Sequence, residues 1–254
     1  MPSGQSDLSL EEALRGQLRS WEERPLLRLL YRRWFREIRA RLSPVTGRSV
    51  ELGAGIGRLQ EVAPEVAATD VVATPWTDEV VDAEGLPFAD ATLANLVLVD
   101  VFHHLARPAR FLSEAARALA PGGRIVVLDP YCSPLSSVAY RLFHHERTDL
   151  GADAFEDDPS IAGHPLDSNQ ARATLAFFRR RDELERRWPE LEVVERKLLA
   201  FLAYPLSGGF TGRKLVPNAV GRALLRAEPA LRPVSRLIAF RCLVVLERRG
   251  GSGT

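Results

Sequence analysis

The run Val50-Glu51-Leu52-Gly53-Ala54-Gly55-Ile56-Gly57-Arg58 constrains this chain more than any other stretch. A short apolar segment meets three glycines at alternate positions, ahead of a segment with helical spacing. Glycine at such a junction lets the backbone turn tightly and lets a ligand lie against bare main chain. The spacing discriminates among ligands. A dinucleotide fingerprint needs G-x-G-x-x-G, and its third glycine would fall at position 58, which is Arg. A Walker A loop needs Gly-Lys followed by Ser or Thr, and no such step follows here. What remains is G-x-G-x-G with an acidic residue two places before the first glycine.

Around this loop the sequence has a regular grammar. Residues 49–52, 66–72, 93–99 and 124–128 read as strands, and residues 60–63 and 109–119 as the helices between them. That alternation predicts an α/β chain with an open, mostly parallel sheet. Residues 9–41 read as helix, because Leu26, Leu27, Leu30, Trp34 and Ile38 recur at helical spacing. Ser43-Pro44 and Gly47 end that segment. Past Asp129 the rhythm breaks into prolines, histidines and acids, as an insertion would. A helix is expected from about 168 to 188, and two late strands at about 191–202 and 237–247. Residues 1–45 are then expected to be an N-terminal helical cap and 46–249 the main domain, with a substrate-side insertion at about 131–190. Residues 250–254 read as a disordered tail.

Composition excludes several classes. Lys+Arg number 34 against 33 Asp+Glu, a net charge of +1, so no global field draws the chain to nucleic acid or anionic lipid. The arginines at 31–41 and 179–187 read as solvated helix faces. Cys132 and Cys242 exclude a disulfide scaffold. The uncharged stretch 198–212 is too short to span a bilayer. With no signal peptide visible in MPSGQSDLSLEE, a cytoplasmic protein is expected.

The glycine loop with Glu51 resembles motif I of the class I S-adenosylmethionine (SAM)-dependent methyltransferases, of the methyltransferase type 11 kind. Three further blocks extend the resemblance in the same order. Val81-Asp82-Ala83-Glu84-Gly85-Leu86-Pro87-Phe88 is similar to a D-A-x-x-L-P-F segment. Asp100-Val101-Phe102-His103-His104-Leu105 resembles the stretch after strand four, and Glu114 to Gly123 resembles the E-x-x-R-x-L-x-P-G-G block. The resemblance implies a Rossmann-like, mostly parallel seven-stranded sheet with helices on both faces, and SAM as cofactor. It implies that Glu51 approaches the ligand's amino group and that Gly53, Ala54, Gly55 and Gly57 admit its ribose and methionine portions. Asp70 would take the ribose hydroxyls, Asp82 and Ala83 the adenine, and Val99 and Asp100 the surroundings of the sulfonium. Two departures stand out: Leu93-Ala94 replaces the usual Phe-Asp, and Ala73-Thr74-Pro75-Trp76 leaves little room for a second helix.

The acceptor end is less determined. His103 and His104 are the candidates for a general base, since imidazole titrates in the useful range, beside a packing role. Tyr131, His144 and His145 stand as weaker candidates. No metal is expected, because within Asp100-x-x-His103-His104 only Asp100 supplies a hard oxygen. Asp129-Pro130-Tyr131 follows strand five and is not read as a D-P-P-Y motif. The pocket is expected beneath residues 26–38 and 131–170, with 202–210 as its far wall. The reading is SAM-dependent methyl transfer to a small-molecule acceptor, with no nucleic-acid partner and no membrane span. Its rivals are a SAM-binding protein without methyl transfer and an NAD-dependent oxidoreductase.

Overall fold

The computed structural model describes residues 10–143, 146–161, 167–210 and 212–250. Seven strands form one sheet: β1 (Arg48–Leu52), β2 (Val66–Asp70), β3 (Glu79–Val80), β4 (Leu93–Val99), β5 (Leu119–Pro130), β6 (Leu191–Leu199) and β7 (Arg241–Arg248). Their order is β3-β2-β1-β4-β5-β7-β6, with β7 antiparallel to both neighbours and the other pairings parallel. The expected Rossmann-like sheet is therefore present. Its centre is β4, whose sequence LANLVLV is buried at every position but Val99. A strand covered on both faces shows a continuous apolar run rather than alternation.

Helices cover the sheet, and the N-terminal part is two of them rather than one. Helices α1 (Leu10–Glu23) and α2 (Pro25–Arg39) meet at Arg24, where Pro25 starts the second. Proline is well placed at a first helical position and cannot continue a preceding helix. Leu27, Leu30 and Ile38 of α2 are fully buried in the cluster that also holds Val50, Leu96 and Val244. Each such side chain contributes roughly 1.5–3 kcal/mol by leaving water. The Arg-rich remainder of α2 is ion-paired at its rim, Arg32 to Glu61 and Arg39 to Glu65.

Three local expectations are corrected, and one, the missing second helix, is met. The helix predicted at 60–63 is a single 3₁₀ turn, Leu59–Glu61, because six residues between Gly57 and Pro64 leave no room for more. Residues 71–78 hold no helix; Thr74 and Thr77 knit a turn there instead. Helix α3 (Pro108–Ala118) is as expected, but β5 starts five residues early because Leu119 pairs with Leu93 of β4. The long helix predicted at 168–188 is broken. One turn, α5 (Arg172–Thr174), runs into a π turn at Leu175–Arg179 and then α6 (Arg181–Arg187). Residues 167–170 remain outside it, because Asn169 bridges to Arg147. After β5 come α4 (Pro134–Phe143) and, beyond β6, α7 (Ala203–Ser207), α8 (Asn218–Ala227) and α9 (Ser235–Ile238). Among the described residues, no helix is long and apolar enough to cross a membrane.

Candidate active site

The carboxyl ends of β1, β2, β4 and β5 point to one edge of the sheet, where a doubly wound fold binds its ligands. The glycine loop leaves β1 there. Gly53, Gly55 and Gly57 all take left-handed φ values of 67°, 53° and 62°. At Gly57 a Cβ would lie 2.9 Å from both the Cβ and the carbonyl oxygen of Trp76, so no side chain fits. Leu14 and Gln17 of α1 lie over Gly55, which puts the first helix across the mouth of the loop.

Three carboxylates gather at this end. Glu51 is buried, and its Oε2 has no hydrogen-bond partner. Burial, and then the nearby Asp70 charge, push its pKa up to about 8. Asp70, at the end of β2, accepts the Gly55 backbone N–H at 2.9 Å through Oδ2, so it braces the loop as well as facing it. Asp82 is exposed, and its Oδ1 accepts the Glu84 N–H at 2.8 Å. Glu84 itself takes the Arg107 N–H and side chain, both at 2.7 Å. Of the two neighbouring acids, Asp82 is thus the one left facing solvent. Among the described residues no Lys, Arg or His pairs with Glu51, Asp70 or Asp82. Ala54 hydrogen-bonds the Thr69 carbonyl at 2.8 Å, and Ala83 is half-buried beside Asp82.

On the other side of the β4 end the charges are matched. Val99 and Asp100 end the strand, and Asp100 has a left-handed φ of 58°. Its carboxylate accepts from Tyr31 Oη at 2.7 Å and is ion-paired with the buried Arg241 guanidinium. Arg241 also reaches the Tyr204 hydroxyl at 2.5 Å. Tyr31 packs against Tyr204 and Phe210, and Trp34 against Tyr204, so α2 and residues 203–210 close over Asp100 as one aromatic wall. Nothing in the sequence points to Tyr31 or Arg241, which reach Asp100 from far along the chain.

The 3₁₀ turn Phe102–His104 carries the two candidate bases, with ring centroids 4.1 Å apart. His103 Nδ1 is 2.9 Å from Asp129 Oδ1 and its Nε2 is 3.6 Å from Glu146 Oε2. Burial lowers its pKa, but the Asp129 and Glu146 carboxylates more than reverse this and lift it to about 10. His104 behaves oppositely. Burial and the neighbouring His103 charge hold it down to about 4. Its Nδ1 lies 2.9 Å from the Asp167 carbonyl oxygen. A carbonyl only accepts, so Nδ1 carries the proton and Nε2 keeps its lone pair. Tyr131 packs on Phe178, and burial raises its hydroxyl, which makes it a poor base. His144 and His145 lie outside the described residues.

A methyltransferase domain family model matches residues 50–127, the segment from the glycine loop to β5. No curated protein matches the sequence. A SAM-dependent methyltransferase structure from Mesorhizobium loti is 18% identical over 84% of this chain and 96% of its own, with a TM-score of 0.48. A geranyl diphosphate C-methyltransferase from Streptomyces coelicolor, solved with Mg2+, geranyl diphosphate and S-adenosylhomocysteine, is 13% identical over 85% and 78%, with a TM-score of 0.49. The [4+2]-cyclase SpnF is 12% identical over 87% and 81%, with a TM-score of 0.47. At this similarity neither acceptor nor chemistry carries over from them. Residues 50–127, from the glycine loop into β5, are thus similar to a methyltransferase domain, and the seven-stranded sheet that holds them has the Rossmann-like form.

Proposed function

We propose that the protein transfers the methyl group of SAM to a small-molecule acceptor held beyond Asp100, on the side away from the glycine loop. The observation that carries the reading is the buried Glu51 carboxylate, with one oxygen unpartnered beside a loop of left-handed glycines. A buried, uncompensated carboxylate is costly until a donor or a cation reaches it. SAM supplies an ammonium group to meet it and a methyl already activated on a sulfonium.

The chain's own residues then have distinct tasks. Glu51 binds the amino group, Asp70 the ribose hydroxyls, and Asp82 with Ala83 the adenine edge. Gly53, Ala54, Gly55 and Gly57 give the ligand close approach. Val99 and Asp100 border the sulfonium, where Arg241 and Tyr31 already share the Asp100 charge; Asp100 acts there by holding the strand end in place. In-line transfer needs alignment and exclusion of water more than a strong base. The aromatic wall of Tyr31, Trp34, Tyr204 and Phe210 suits an acceptor of small size. His104, not His103, is the imidazole that can take a proton from such an acceptor, since His103 is already protonated at neutral pH.

Calorimetric titration with SAM, S-adenosylhomocysteine and NAD tests this. Saturable binding of the first two, with none of NAD, is the expected result. Binding of NAD alone, or of none of the three, would overturn the reading.

A further inference from the structure

His103, His104 and Glu146 each offer one ligand atom, and those atoms lie within 4.8 Å of one another. What distinguishes the trio is that every member is held from behind by a group that is not itself part of it. His103 Nδ1 faces Asp129, at the end of β5, 2.9 Å away. His104 Nδ1–H donates to the Asp167 carbonyl at 2.9 Å. Glu146 Oε2 accepts from Ser168 Oγ at 2.8 Å and from Gln170 Nε2. His103 Nε2 faces Glu146 Oε2 at 3.6 Å, and with its Nδ1 committed to Asp167, His104 keeps Nε2 as its ligand atom. A carboxylate or carbonyl behind each imidazole is how metal-binding histidines are oriented and their tautomer fixed.

We propose that His103 Nε2, His104 Nε2 and the Glu146 carboxylate form a binding site for a divalent first-row transition metal, with Zn2+ as the reference ion, which displaces the Nε2 proton of His103 to solvent as it binds. Two imidazoles and one carboxylate match the donor preference of such ions, whereas Mg2+ and Ca2+ favour all-oxygen sets. Tetrahedral ligands at Zn–N distances of about 2.0–2.1 Å stand roughly 3.4 Å apart, so the trio needs only a modest contraction. His103 is buried, while His104 and Glu146 are half-buried, so the trio is partly reached by solvent. The sequence pointed away from a metal because Asp100 was the only hard oxygen in view. Asp100 is committed to Arg241 and Tyr31, and the oxygen comes from Glu146 in the insertion instead.

The two imidazoles lie just past the end of β4, on the Asp100 side assigned above to the acceptor, and this part of the inference rests on that assignment. The acceptor class it favours carries an oxygen donor, such as a phenol, an enol or a hydroxy acid, whose acidity the ion would raise. In the loaded site both imidazoles are ligands, and the proton-accepting role given above to His104 belongs to the metal-free chain.

The test uses the full chain, freed of metal by dialysis against a chelator and titrated with Zn2+ by calorimetry. One ion per chain is expected for the unaltered protein. His104→Ala and Glu146→Gln should each weaken binding at least about 10²-fold, more than loss of a supporting group costs. His144→Ala/His145→Ala should leave it unchanged. The paramagnetic resonance spectrum of the Cu2+-loaded unaltered protein should show coupling to two imidazole nitrogens, which does not depend on any variant folding. Absence of stoichiometric binding, coupling to fewer than two nitrogens, or loss of binding in the His144/His145 double variant would overturn the proposal. SAM titration of the same samples keeps the two readings apart. Zn2+ bound without SAM leaves the metal site standing and removes the methyltransferase assignment; SAM bound without Zn2+ does the reverse.

Discussion

The two sides of the β4 carboxyl end treat charge in opposite ways. At the glycine loop Glu51, Asp70 and Asp82 stand without an ion-paired cation among the described residues. On the other side, Asp100 is matched by Arg241, and Asp129 and Glu146 by His103. The first side is unfinished without a positively charged ligand. The second is internally neutralised, and what it offers is two imidazoles and a carboxylate already held in place. A cationic cofactor and an acceptor that must be positioned rather than neutralised fit those two sides in that order.

The largest effect that would break this contrast concerns pH. The folded pKa of Glu51, about 8, lies above its ordinary value of 4.5. The group therefore favours the folded state fully below about pH 4.5, and that advantage is lost as pH rises toward 8. Unliganded stability should fall across that window by no more than about 5 kcal/mol, and Glu51→Gln should flatten the slope. Chemical denaturation at several pH values reads it, and an unaltered slope in Glu51→Gln would show that Glu51 is not the strained group. Next, Arg241→Met leaves the Asp100 charge facing Tyr31 without its cation. It should cost about 3 kcal/mol, seen as a lower denaturant midpoint; no loss would mean the acceptor side is not held by charge matching. Asp82→Ala should weaken SAM binding about tenfold, or roughly 1.4 kcal/mol, with the denaturation midpoint unmoved; equal affinity would remove Asp82 from the site. The smallest change is the reference. Arg32→Ala breaks an exposed pair with Glu61, remote from the contrast, and should shift stability by less than about 1 kcal/mol.

The same contrast explains what could be read in the sequence. The cofactor side is built from local elements: β1, its glycines and the end of β2, all within residues 48–70. Their grammar of strand, turn and acid is legible because it is contiguous. Strand β4 was readable to the residue, since a strand buried on both faces writes itself as an apolar run. The two-residue strand β3 and the truncated helix after the loop were not, because their extent is set by pairing and by Pro64 rather than by periodicity. The acceptor side depends on contacts remote in sequence, Tyr31 to Asp100 and Arg241 to Asp100. Glu146 was visible only as a neighbour of two histidines, and nothing local indicated that it would meet His103.

Strand β7 follows β6 in the chain yet lies between β5 and β6 in the sheet, and β6 has no other strand beside it. Until β7 has been made, β6 lacks the one strand it pairs with in the finished sheet. Only when residues 241–248 take their place between β5 and β6 does Arg241 arrive beside Asp100. A nascent chain can thus complete its glycine loop long before it has an acceptor pocket. Any activity that needs both should appear abruptly, at the step when the inserting strand joins the sheet.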